Sequence, residues 1–258
     1  MLTAGRVASL GALVIMIIVY AWLLTRARKG KVPRIRKMAG FDAIEEAVGR
    51  ATEMGKPVFF TPGVSGFDHA DSPQTIAGLT VLRHLSKLTA KYKAPLIAAV
   101  SKATVLPVAE ETVRQGYLEA GAPEAFKPSM IRYLSDEQFA WAGGCIGIMH
   151  REGVAANIMI GNFMGESLLL AEAGYQAGAI QVAGTANRSQ IQFFVTVADY
   201  CLIGEEIFAA GAYLFQDPVQ LAGLGAQDVA KWVAIGAIVG GIILKVLGMP
   251  VILDLLKM

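Results

Sequence analysis

Charge is scarce in this sequence. Only 17% of its 258 residues are Asp, Glu, Lys or Arg, while 54% are hydrophobic. Typical soluble domains run at about 25% and about 45–50%, so part of the chain is expected in lipid. Cysteine is also scarce. Cys145 and Cys201 are far apart, both in apolar runs. No disulfide framework follows, and both read as small buried hydrophobes compatible with a reducing compartment. A basic surplus is lacking too. The net charge is +2, but seven of the 23 basic residues lie between Arg26 and Lys37. That leaves 16 basic against 21 acidic residues elsewhere, a balance of −5. Such a body does not suggest a nucleic-acid binder.

The nucleotide fingerprints are missing as well. The loop after the first apolar strand reads Gly63-Val64-Ser65-Gly66. That is neither GxGxxG nor GxxxxGK[ST]. No carboxylate ends the second strand, "PLIAAVS", where a ribose contact would be expected. NAD and P-loop chemistry are therefore disfavoured, and no cofactor is expected. Gly63-x-Ser65-Gly66 also lacks the spacing of a GxSxG nucleophile elbow.

Long apolar runs are present at both ends. Val7–Leu24 is 18 residues without a charge, about 27 Å of helix and close to the hydrocarbon thickness. One basic residue precedes it, seven follow, and no small-x-small cleavage signal intervenes. The run therefore reads as an uncleaved anchor rather than a signal peptide. Arg26, Arg28, Lys29, Lys31, Arg34, Arg36 and Lys37 place the following chain in the cytoplasm by the positive-inside rule, with lipid or polyanion contact as an added possibility. The second run is Trp232–Leu253, interrupted by Lys245 after thirteen residues. Snorkelling of that lysine to the outer headgroups gives a span of about 229–248. A core helix of a soluble protein is the rival reading. Gly236 and Gly240 form a GxxxG with Gly241 beside it, a face suited to close helix packing in lipid, within the chain or between chains.

Between the runs the pattern alternates strand and helix. "PVFFT", "PLIAAVS", "MIRYLS", "VAANIMIGNF", "AIQVAGT" and "DYCLIG" are short continuous apolar strands, as expected when helices cover both faces. Ser135 or Asp136 is expected to cap the helix after the third strand, and the helix after the first carries an apolar stripe of Ile76, Leu79, Leu82, Leu85 and Leu88, widened by Val81 and Tyr92. Residues 153–184 are apolar enough to suggest a span, but Glu166, Glu172 and the glycines favour a buried strand–helix–strand. The expected fold is α/β: a Rossmann-like, doubly wound, mostly parallel sheet of about six strands, flanked by N- and C-terminal transmembrane helices. The expected divisions are residues 1–25 (anchor), 26–40 (basic linker), 41–228 (cytoplasmic α/β domain) and 229–258 (second span and tail).

In such sheets ligands bind at the carboxyl ends of the strands. The loops there carry Ser65, Ser101, Lys102, Asn162, Glu166, Thr185, Asn187 and Arg188. Helix N-termini would add a field suited to a small anion. The competing explanation is turn and cap chemistry, which any strand-to-helix loop needs. Asp68, His69 and Asp71 read as a solvated loop, with no metal site assigned. Glu205 and Glu206 are sufficiently explained as a helix first turn.

The stretches "FFTPG", "AGTANRSQ" and "GEEIFAAGAYL", together with the anchors and the basic stop, resemble a prokaryotic membrane family with a domain of unknown function between terminal hydrophobic segments. The resemblance brings no catalytic residue. The sequence points to a membrane-anchored scaffold or assembly subunit in the plasma membrane, homo-oligomeric, with the bilayer and other membrane subunits as partners and no nucleic acid. The alternative is a membrane-docked module sensing a small anionic or nucleotide-like ligand.

Overall fold

The computed structural model describes residues 7–29 and 36–246. In chain order the elements are α1 (Val7–Arg28), α2 (Ala39–Met54), β1 (Val58–Gly63), α3 (Ser72–Tyr92), β2 (Leu96–Val100), α4 (Leu106–Glu119), β3 (Ile131–Tyr133), α5 (Gln138–Glu152), β4 (Ala156–Asn162), α6 (Ser167–Gln176), β5 (Ile180–Thr185), α7 (Arg188–Val197), β6 (Tyr200–Ile203), α8 (Ala210–Phe215) and α9 (Pro218–Val246). They fall into two compact units. One contains α1 and α9; the other spans Arg36–Leu214.

In the second unit the six strands form one sheet in the order β3-β2-β1-β4-β5-β6, with every pairing parallel. The expected α/β sheet is present, and residues 153–184 are indeed β4, α6 and β5. Every residue of β1, β2, β4 and β5 is buried, while the edge strands β3 and β6 are partly open. Continuous apolar runs in the four inner strands follow from cover on both faces. Side chains alternate between the two faces. Phe59, Met159 and Ala183 pack into one core with Trp141, Cys145 and Met149 of α5, Leu170 of α6 and Phe194 of α7. Phe163 and Phe194 meet edge-to-face there, 5.2 Å between ring centres.

Two local expectations are corrected. Ile76 is 54% exposed and leaves the α3 stripe, whereas Leu79, Val81, Leu82 and Leu85 are buried. The helix start is the reason: in the first turns Thr75 and Gln74 take the inward positions. Neither Ser135 nor Asp136 caps α5. Glu137 does, accepting from Ala140 N at 2.6 Å. Ser135 Oγ instead accepts from Glu137 N, and Asp136 accepts from Ala103 N.

The ends of this unit are tied together. The Phe41 and Tyr213 rings stack with centres 5.4 Å apart, Tyr213 OH donates to Asp42 Oδ1 at 2.6 Å, and Arg36 pairs with Glu206.

In the first unit α1 packs against α9, with Tyr20 beside Gly223. Among the described residues one helix is long and apolar enough to cross a membrane, Pro218–Leu244 within α9. Lys31, Arg34 and the end of the expected second span lie outside the described residues.

Candidate functional site at the carboxyl ends of the strands

The strand order reverses between β1 and β4, and a doubly wound sheet leaves its ligand crevice there. Here the two strand ends press together. Val64 N donates to Asn162 O at 2.9 Å. Gly63 has φ +86°, and a Cβ on it would overlap the Asn162 carbonyl. A Cβ on Gly161 would overlap the Pro62 carbonyl, and one on Gly78 of α3 the Ile160 carbonyl. These glycines serve close approach of backbone to backbone.

Above that contact sits a buried polar network. Asn162 Nδ2 donates to Ser65 Oγ at 2.6 Å. Gln74, from the first turn of α3, donates through Nε2 to Asp71 Oδ1 at 3.2 Å and to Asn162 Oδ1 at 3.4 Å. Its Oε1 accepts from Thr185 Oγ1 at 3.2 Å and from Ala186 N at 2.8 Å. Thr75 Oγ1 donates to Ser65 O, and Ser101 Oγ donates to Gly63 O at 3.0 Å. Ser65, Gln74, Thr75, Ser101, Asn162 and Thr185 are all buried. Low dielectric strengthens such a network and makes each unpaired member costly.

Glu166 forms a second centre beside it. Its carboxylate is fully buried, accepting from Met164 N at 2.9 Å and from Gln138 Nε2. Burial pushes the Cys145 thiol well above its ordinary value, with the Glu166 charge adding to the effect. Burial and Glu206 raise Cys201, half-buried on β6, to about 11. Neither thiol is poised as a nucleophile.

Of the residues expected at this edge, Ser65, Asn162 and Thr185 come together in one network. Asn187 lies next to it, donating to Phe163 O at 2.9 Å while capping α7 through Ser189 N. Glu166 is close by but holds its own loop. Lys102 is turned to the β3–α5 loop, donating to Asp136 O at 2.9 Å. Arg188 is exposed on the first turn of α7. Asp68 and His69 approach to 3.6 Å on an exposed loop. Among the described residues no three His, Cys, Asp or Glu side chains form a group able to hold a metal.

Sequence reasoning missed Gln74 and Gln138. Gln74 had a signal: counting back by four and seven from Gly78 and Val81 puts it on the buried stripe of α3. A polar residue at such a position needs partners inside. Gln138 carried none, because Gln is unremarkable at the start of a helix. A separate cleft of about 550 Å³ lies between α6 and α7, with Leu168, Leu169, Tyr175 and Val197 in its walls and Gln181 among its lining.

No curated protein and no solved structure matches the chain. One family model does, described as Domain of unknown function (DUF6754), over residues 1–256. With that match spanning nearly its full length, the chain belongs to the DUF6754 family.

Proposed function

We propose that the protein is an assembly subunit of a homo-oligomeric membrane complex, held by two membrane spans, with its α/β unit on the cytoplasmic side. The observation that carries this reading is the closed switch point. Above the strand ends, where a ligand-binding member of this architecture leaves a crevice, the side chains of Ser65, Gln74, Asn162 and Thr185 bond to one another. A fold that fills its ligand crevice with its own side chains serves best as a rigid body.

Supporting features come from the other unit. α9 contains a stretch able to span a bilayer, and α1 carries the uncharged run Val7–Leu24 followed by Arg26 and Arg28. Two tethers confine the body to a thin layer and raise its effective concentration for self-association. Among the described residues nothing lies within 4 Å of a Cβ built at Gly236 or Gly240. That face of α9 is open to a helix of a neighbouring subunit.

The test is the size of the particle extracted in mild detergent, by cryo-EM or mass photometry. A closed oligomer that Gly236→Leu with Gly240→Leu disperses supports the reading. A monomer at all concentrations overturns it.

A second reading has its own observation. Glu166 is a fully buried carboxylate beside a buried amide–hydroxyl network at the strand ends. A small polar ligand would exchange its own groups for Gln74 and Ser65 there. Ligand copurifying with the wild type and lost from Asn162→Ala would favour it.

A further inference from the structure

The carboxyl edge of the sheet carries more than the polar network. Around its mouth the loops and first turns expose large apolar side chains: Phe67 after β1, Phe139 after β3, Met164 and Leu168 after β4, and Ile203 and Phe208 at and after β6. Each is between 38% and 59% exposed. They come from four separate strand ends, so no single amphipathic helix explains them. Single exposed apolar residues need no explanation, but several gathered on one rim mark an interaction surface.

What covers this rim is indicated by the chain itself. α2 enters the unit at this edge, since it runs back to the start of β1, and β6 ends at it. The two ends are clasped there by Phe41 with Tyr213, Tyr213 with Asp42, and Arg36 with Glu206. The polypeptide therefore leaves the unit at the rim in both directions, toward α1 on one side and α9 on the other. Both connections lead to apolar helices, and α9 contains the stretch able to span a bilayer.

We infer that this rim docks on the lipid surface, with Phe67, Phe139, Met164, Leu168, Ile203 and Phe208 entering the headgroup layer. The inference rests on the membrane reading above and goes beyond it by assigning the face that meets lipid. Apolar and aromatic side chains are favoured at that depth, where burial of their area drives binding. The charges on the edge decide the lipid class. Asp68, Asp71, Asp136, Glu137, Glu205 and Glu206 share it with His69, Lys102, Arg188 and Arg36, so it carries no positive surplus. A zwitterionic surface therefore suffices for the rim itself, and any preference for anionic lipid belongs to the basic run Arg26–Lys37 that precedes it. The consequence is functional. A rim seated in headgroups leaves the sealed switch point facing lipid, and the helix faces and opposite edge remain for protein partners.

The experiment uses the full chain in phosphatidylcholine nanodiscs. Spin labels are placed singly, in a Cys201→Ala background, at Phe67→Cys, Phe139→Cys and Phe208→Cys on the rim. Others go at Leu118→Cys and Tyr175→Cys on the opposite edge and at Ile238→Cys in α9. Collision with oxygen, which partitions into lipid, is compared with collision with an aqueous nickel chelate. The expected result is rim labels several-fold less accessible to nickel than Leu118 and Tyr175, with oxygen contact retained. Rim labels as nickel-accessible as the opposite edge, with Ile238 in lipid, overturn the docking and leave the membrane anchor standing. Rim labels shielded from both reagents mean that protein covers the rim, which also overturns it. An aqueous signature at Ile238 removes the membrane reading and the docking with it.

Discussion

Asn162 Nδ2 donates to Ser65 Oγ at 2.6 Å, joining the end of β4 to the loop after β1 with both side chains buried. The bond spans the point where strand order reverses, so it fixes the two halves of the sheet against each other. Asn162→Ala leaves the buried Ser65 Oγ without its donor and removes one of the two acceptors of Gln74 Nε2, while Gln74 keeps Asp71, Thr185 and Ala186 N; the expected cost is about 1–3 kcal/mol. Ser65→Ala is expected to cost less, because Asn162 keeps Gln74. The double variant should fall short of the sum, since both changes remove the same bond. Denaturant midpoints of the four proteins measure the cycle. Full additivity would show that the bond contributes nothing.

The glycines at this junction make a sharper prediction. A methyl group at Gly63 meets the Asn162 carbonyl, and its φ of +86° is strained for any L side chain. Gly63→Ala should destabilise by at least about 2 kcal/mol, from backbone strain and displacement of β4. Gly49 provides the contrast. It lies inside α2 with nothing within 4 Å of a built Cβ. Gly49→Ala should stabilise by about 0.5–1 kcal/mol through helix propensity alone. Thermal melts of the two variants should shift in opposite directions.

The architecture was legible because its signals are local. Six short apolar runs, each followed by a glycine or cap and a helical period, admit few arrangements other than a doubly wound parallel sheet. "VAANIMIGNFMGESLLLAEAGYQAGAIQVAG" could be told from a membrane span by Glu166, Glu172 and its glycines, and it folds as β4, α6 and β5. The site was legible only in outline. Ser65, Asn162 and Thr185 were placed at one edge by topology, and they do meet. That they meet through Gln74, and that Lys102 turns away to Asp136, depends on which way side chains point across loops. No period in the sequence encodes that. The cap of α5 is a case of the same kind. Ser135, Asp136 and Glu137 are all able caps, and the choice falls to Glu137 because the first two serve neighbouring loop amides.

Glu166 tests the second polar centre. Two donors, Met164 N and Gln138 Nε2, point into its carboxylate. Glu166→Gln keeps the shape but gives one donor an amide N–H₂ in place of an acceptor. The expected loss is about 1–3 kcal/mol, the cost of an unsatisfied buried group. Glu172→Gln, on the exposed side of α6 where the carboxylate accepts from Gln176 Nε2, should stay within about 0.5 kcal/mol of wild type. Equal midpoints for the two variants would mean that Glu166 is not held as described.

Stability should fall on the alkaline side, and the two thiols set the window. Burial raises Cys201 from 9.0 to about 11 and holds Cys145 well above 9.0. Above pH 9 the unfolded chain releases these protons while the folded chain keeps them. The unfolded state then binds fewer protons, and stability declines as pH rises from about 9 toward 11. Below pH 9 both states are protonated and these groups contribute no slope. Guanidinium midpoints between pH 7 and 11 should therefore be flat with respect to the thiols at first and then fall. Cys201→Ala should remove part of that fall, because alanine leaves no proton to lose. Iodoacetamide reports the same physics chemically, since the thiolate is the nucleophile. At pH 8 it should spare both cysteines in the native protein and modify both after denaturation. Rapid native labelling of Cys145 would mean that α5 does not seal it against the sheet.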